Sequence, residues 1–242
     1  MGTLSYIWMF VAVATYVVLL RLPAPYGRHR KPGWGPTIPH RVGWVIMESM
    51  SPLAFFVSYE LSGGKAFTYA TMLMVLWCLH YTNRALVHPF RARWSGRRMP
   101  IIIALAAVGF NSVNGALNGW YMGHLSWTPP VGIVVLGAVL FFGGAALNIW
   151  ADEVLRRLRP PGTLEYHIPR GGLYRYISCP NYLGEILEWT GFALMAATPA
   201  AWAFAVWTAA NLIPRAMSHH SWYKETFPAY PEDRKAVVPF IL

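Results

Sequence analysis

The chain has 242 residues, of which 55% are apolar and only 12% charged, and its mean hydropathy is positive. Soluble domains carry about 25% charged residues, so the composition excludes an ordinary soluble domain and points to an integral membrane protein. A formal net charge of +10 would suit a nucleic-acid partner, but the placement of the charges argues against one.

The N-terminus, MGTLSYIW, has no basic region and no small-residue cleavage site after its first apolar run, so no signal peptide is expected. Tyr6 stands where an N-myristoylation signal needs Ser or Thr, and that signal is discarded. Apolar runs of bilayer-spanning length are predicted over residues 4–22, 42–61, 66–87, 101–122, 131–150, 182–197 and 200–213. The expected fold is an all-α integral membrane protein: one seven-helix transmembrane bundle forming a single domain. Within it, residues of about 1–122 and about 131–242 form two halves.

Nineteen of the twenty Lys and Arg residues fall in the odd-numbered connections, their flanks and the C-terminal end, leaving Lys65 alone on the other side. The positive-inside rule then puts the N-terminus outside and the C-terminus in the cytoplasm. Such charges set topology and meet lipid headgroups rather than nucleic acid. Cys78 and Cys179 belong to no CxxC pair, so neither a disulfide framework nor a cysteine zinc site is expected.

Ionisable groups at membrane depth are costly and tend to mark function. The second span carries Glu48 with Trp44 one turn before it, and the third carries His80, Tyr81, Asn83 and Arg84. Asn111, Asn114 and Asn118 recur at helical spacing in the fourth, and Glu185 and Glu188 lie in the sixth. Together they suggest a lined cavity for a lipophilic substrate. The polar stretch 148–189 joins two spans on the cytoplasmic side. Neither a Rossmann fingerprint nor a P-loop is present. Phosphates would instead be held by Arg forks, with Asn148 and Asp152, and Asn181 and Glu185, each pair one turn apart on a polar face. The C-terminal segment adds Arg215, His219, His220 and Tyr223. Its two adjacent histidines lack a matched carboxylate set, and no metal is expected.

The run 148–189, the ending HHSWYKETFPAYPEDRKAVVPFIL, PYGRH around Tyr26, the Glu48 segment and LHYTNR together resemble the steroid 5α-reductases over nearly the whole chain. The C-terminal half alone is also similar to enoyl-CoA reductases, sterol reductases and isoprenylcysteine methyltransferases. The resemblance implies NADPH-dependent reduction of the Δ4 double bond of 3-oxosteroids, with about 1–122 as the substrate-side helices and about 131–242 as the cofactor-binding half. Glu48 and Tyr81 match the pair that contacts the 3-oxo group, with Trp44 beside them and Phe110 and Asn114 as further substrate contacts. Tyr26, Arg84, Arg97, Asn148, Asp152, Arg159, Tyr166, Asn181, Glu185, Arg215, His219 and Tyr223 match the cofactor set. His167 is counted with the cofactor set although it stands where the mammalian enzymes have Arg, and Asn211 replaces a bulky aromatic near the steroid.

The chemistry fits these residue types. Hydride attack at C5 of an enone drives negative charge onto the carbonyl oxygen, and donors placed there favour the transition state over the ground state. Burial favours the neutral acid form of Glu48, which could then donate a hydrogen bond. Tyr81 is the second expected donor, and protonation at C4 completes the reduction. The alternatives are reduction of another enone or enoyl-thioester lipid, or a non-enzymatic lipid-binding or transport bundle. Membrane lipid and a 3-oxo-Δ4 steroid are the expected partners, and a monomer is compatible with all of this.

Overall fold

A computed structural model describes residues 1–22, 33–92, 96–158, 163 and 165–242. The helices are α1 (Gly2–Arg21), α2 (His40–Leu61), α3 (Tyr69–Thr82), α4 (His88–Arg91), α5 (Ile101–Gly123), α6 (Val131–Arg157), α7 (Pro180–Ala196) and α8 (Pro199–Thr226). A π-helical turn, Asn83–Val87, carries α3 into α4, and a 3₁₀ turn, Gly172–Arg175, precedes α7. Proline punctuates most helix starts. Pro39, Pro100 and Pro130 are the N-caps of α2, α5 and α6, and Pro180 and Pro199 occupy the first turns of α7 and α8. Among the described residues four helices, α1, α2, α5 and α6, are long and apolar enough to cross a membrane.

Two departures from the sequence expectation have clear causes. The protein is not wholly α-helical: β1 (Thr37–Pro39) pairs antiparallel with β2 (Arg98–Pro100). A residue before proline is driven to extended backbone, so Ile38 and Met99 are held straight and can pair. Helices α6 and α8 also run well past the predicted ends at residues 150 and 213. In α6 the extension is polar, and Glu153 bonds both Arg156 (Nη2 to Oε1, 2.6 Å) and Arg157 (2.7 Å) across one turn.

The long helices meet in pairs: α2 on α5, α6 on α7, and α1 on α8. Helix α5 presents Gly115 to the Ser51 carbonyl and Gly119 to the Phe55 carbonyl, and a β-carbon at either position would overlap the facing backbone. Asn111 Nδ2 donates to the Met47 carbonyl at 2.7 Å. Residue numbers rise together along the two helices, so α2 and α5 run parallel. Against this, Gly144 meets the backbone of Gly184 and Glu188, and Gly191 meets that of Gly137, so α6 and α7 run antiparallel. Small residues at such contacts let helix backbones approach where lipid removes the usual hydrophobic drive. Gly184→Val should therefore force α6 and α7 apart and destabilise the protein by roughly 1–3 kcal/mol, read as a lower melting temperature in detergent. An unchanged melting temperature would show that the contact is dispensable.

The core centres on Trp77 of α3. Its ring lies 5.0 Å from each of Phe55, Trp189 and Phe204, and 5.5 Å from Tyr81. At the other end, the C-terminal tail is locked beside the start of α7. The Ser178 amide donates to the Lys235 carbonyl (2.8 Å) and the Cys179 amide to the Ala236 carbonyl (3.0 Å). Ser178 Oγ stands 2.7 Å from His220 Nδ1 and 2.5 Å from the Tyr230 hydroxyl. Burial, with Lys224, Arg234 and Lys235 nearby, lowers the His220 pKa to about 4, so it holds this contact as a neutral ring.

Candidate active site

A cavity of about 270 Å³ opens where α2, the π turn, α6, α7 and α8 converge. Ten of the residues expected from the sequence line it: Trp44, Arg84, Arg97, Asn148, Asp152, Tyr166, Asn181, Glu185, Arg215 and His219. They come from segments distant in sequence, and side-chain bonds connect them.

One wall is amide and carboxylate. Asn148 Nδ2 donates to the Asn181 carbonyl (2.9 Å) and approaches Glu185 Oε2 (3.5 Å), and Asn181 Nδ2 donates to Asp152 Oδ1 (3.0 Å). The glycine-mediated approach of α6 to α7 brings these side chains within reach, because Gly184 packs against the backbone of Asn148. His88 Nδ1 lies 3.5 Å from Asp152 Oδ2. Burial, with Arg84 and Arg91 close by, lowers the His88 pKa to about 3, leaving a neutral ring there.

The other wall is cationic and aromatic. Arg97 Nη2 donates to the Tyr166 hydroxyl (3.1 Å). Arg215 Nε donates to the Tyr182 hydroxyl (3.0 Å), which also contacts His219 Nε2 (3.1 Å). Tyr182 was not expected from the sequence. It directly follows Asn181 at the start of α7, and the neighbouring polar residues concealed its part in this wall.

The two walls meet at Arg84. The Trp44 indole N–H donates to the Arg84 carbonyl (2.9 Å), and the Arg84 guanidinium lies 4.9 Å above the Trp44 ring. Arg84 Nη2 is 3.7 Å from Glu48 Oε1, and Glu185 and Asp152 also act on it electrostatically. Its place in the π turn supplies the local reason. An i→i+5 turn breaks the regular helical ladder, and such turns recur at functional sites. Glu48 itself lies behind this residue, and Tyr81, 3% exposed, is beside Ser51, one turn along α2 from Glu48.

The remaining expected residues fall elsewhere. Phe110 stacks on Trp8 (5.8 Å) and meets Trp207 edge-on (5.1 Å), forming an aromatic group between α1, α5 and α8. Asn114 is fully buried one turn further along, and neither atom of its amide has a hydrogen-bond partner among the described residues. Asn211 Nδ2 donates to the carbonyl of Trp207. The half-exposed His167 is 3.8 Å from Glu165, outside the cavity lining. Tyr223 is buried and stacked on Tyr230 (5.2 Å), within the lock that holds the C-terminal tail. Tyr26 and Arg159 lie outside the described residues.

The donor set fits a dinucleotide phosphate. Arg84, Arg91, Arg97, Arg156 and Arg215 bring five guanidinium groups to one cavity, facing amides and carboxylates that suit ribose and carboxamide groups.

These features define a mainly helical protein with membrane-spanning character and a cationic, amide-lined cavity beside a buried carboxyl group. Residues 97–242 match the family model described as 3-oxo-5-alpha-steroid 4-dehydrogenase. The chain is 38% identical to the steroid 5-alpha-reductase DET2 of Gossypium hirsutum, over 96% of this chain and 93% of that protein. It is 36% identical to 3-oxo-5-alpha-steroid 4-dehydrogenase 1 of Bos taurus, over 100% and 97%. With 3-oxo-5-alpha-steroid 4-dehydrogenase 2 of Homo sapiens the figures are 37% identity over 96% and 93%. The chain belongs to the 3-oxo-5-alpha-steroid 4-dehydrogenase (steroid 5α-reductase) family.

Proposed function

We propose that this protein is a membrane oxidoreductase that reduces the Δ4 double bond of a 3-oxo-Δ4 steroid to the 5α-3-oxosteroid. The observation that carries the proposal is the meeting at Arg84 of the cationic cradle with Glu48, in a chain of this family. Arg84, Arg97 and Arg215 would hold phosphate groups of NADPH, and Asn148, Asp152, Asn181 and Glu185 its ribose and carboxamide. When bound, NADPH supplies the hydride for C5.

Glu48 and Tyr81 then work on the carbonyl oxygen. Both hydroxyl groups, carboxylic and phenolic, donate to an oxygen that gains charge only as the reaction proceeds, so they lower the barrier rather than tighten ground-state binding. Trp44 packs against Arg84 and closes the site on its cofactor side. The substrate enters from the bilayer, towards the aromatic group around Phe110. The seven-span topology, with the N-terminus outside and the cofactor cavity cytoplasmic, belongs to the same proposal. Parallel α2 and α5 and antiparallel α6 and α7 support it, because these are the directions that the alternation of basic connections requires.

Purified protein supplied with NADPH and testosterone should form the 5α-reduced product, followed by chromatography. Oxidation of NADPH with an enoyl thioester but with no 3-oxo-Δ4 steroid would reassign the substrate class, and ligand binding without oxidation would make the protein a carrier. Asn181→Ala removes the donor to Asp152 and should weaken NADPH binding by about 1–3 kcal/mol with a smaller effect on turnover at saturating cofactor. Tryptophan fluorescence titration measures this, and unchanged affinity would take Asn181 out of the cradle.

A further inference from the structure

We propose that the buried pair His80–Glu188 is a positioning device, one that fixes the rotation of α3 so that Tyr81 faces the Glu48 side of α2. The proposal rests on the assignment of Tyr81 as a donor to the substrate carbonyl, and it adds two residues which that chemistry does not use.

His80 Nδ1 and Glu188 Oε1 are 2.8 Å apart, with side chains 6% and 3% exposed. Both lie in helices of an apolar bundle, where taking ionisable groups out of water carries a large desolvation cost. An apolar pair of the same size would pack there at lower cost, so stability does not explain their presence. Their surroundings offer another explanation. His80 adjoins Tyr81 in sequence, with ring centroids 5.1 Å apart, and its ring lies 4.6 Å from Trp189, the residue after Glu188. Trp189 also reaches Tyr81 at 6.0 Å and Trp77 at 5.0 Å. Tyr81 is therefore tied to the α7 side through the hydrogen bond of its neighbour His80 to Glu188 and through the Trp189 ring.

Helix α3 needs such a tether at this point. The π turn begins at Asn83, two residues after Tyr81, and interrupts the regular backbone ladder that would otherwise set the angle of the helix. On α7, Glu188 is one turn past Glu185, which lines the cavity. The pair thus joins the helix that carries cradle residues to the helix that carries the proposed donor. Glu48, Glu185 and Arg84 are the other ionisable groups within electrostatic reach of it. Each already has its place in the site, and none of them hydrogen-bonds His80 in Glu188's stead.

The test uses the full-length enzyme and five variants: His80→Leu, Glu188→Leu, the double variant, Glu188→Gln and Tyr81→Phe. Either single leucine should lower kcat by about 10–100-fold, the effect of displacing a reacting group by about 1 Å. Steroid KM and NADPH affinity should stay within about threefold, because the pair touches neither ligand. The double variant leaves no orphaned charge, so it should recover the parent's melting temperature but not its kcat. Glu188→Gln still accepts from His80 and should keep most of the parental kcat.

A double variant or a His80→Leu variant with parental kcat overturns the proposal, as does a loss of kcat matched by an equal loss of NADPH affinity. Tyr81→Phe separates this proposal from the one beneath it. Parental turnover in Tyr81→Phe removes the donor assignment itself. Impaired Tyr81→Phe alongside unimpaired His80→Leu and Glu188→Leu removes only the positioning role.

Discussion

Exchanging Glu48 for glutamine should lower turnover by about 10²-fold or more while leaving NADPH affinity nearly unchanged. Glutamine keeps the size of the side chain and an N–H donor. It loses the acidic O–H, whose hydrogen bond, in the proposed reaction, strengthens as the carbonyl oxygen becomes an enolate. The loss should therefore appear in kcat and in kcat/KM alike, the pattern of an interaction made only in the transition state. Tyr81→Phe removes the proposed second donor to the same oxygen and should cost a comparable factor. Residues acting on one atom are not additive, so the double variant should be little slower than the worse single one. Turnover is measured at saturating NADPH and steroid, and cofactor affinity by fluorescence titration. Near-parental turnover in both single variants would remove the electrophilic role from this pair.

How far the sequence made this site legible depended on the kind of residue. Glu48, Arg84 and Glu185 stood out because a charged residue in an apolar run is rare and expensive. The pairs Asn148–Asp152 and Asn181–Glu185 stood out by their one-turn spacing. The structure joins the two pairs, since Asn181 donates to Asp152 and Asn148 reaches Glu185. No periodicity within either helix could reveal that cross-linking. It depends on Gly144 and Gly184 letting two backbones touch, and a lone glycine in an apolar run gives no hint of its partner. The π turn was hidden for a related reason. Asn83–Val87 has an ordinary helical composition, and nothing in it announces that Trp44 bonds the Arg84 carbonyl.

The ends of the helices were the least legible part. Hydropathy marks where an apolar run stops, but α6 and α8 continue as polar helices. Glu153 with Arg156 and Arg157 supports the extension of α6. The second half of α8 is held by Tyr182 on Arg215 and His219, and by Ser178 on His220. These extensions carry much of the cavity wall. A boundary drawn by hydropathy leaves Asp152, Arg215 and His219 in connecting segments, whereas the fold sets them on rigid helix.

Arg84→Met should have the broadest effect of any single exchange, lowering NADPH affinity by at least about tenfold and turnover by about 10²-fold. The guanidinium lies 3.7 Å from Glu48 and within the field of Glu185 and Asp152. Removing one member of such a buried network leaves its partners uncompensated, which costs about 3–5 kcal/mol. That cost is divided between folding and binding, so the melting temperature must be measured beside the kinetics. Methionine preserves much of the stem that covers Trp44, which confines the change to the charge and its hydrogen bonds. Arg84→Lys keeps the charge without the planar fork and should fall between the two. A basic residue serving topology alone would behave differently. Arg91 and Arg97 remain nearby, so the bundle would still orient correctly, and affinity and turnover would both match the parent. That outcome would separate the cradle from the carbonyl donors and break the connection on which the proposed reaction depends.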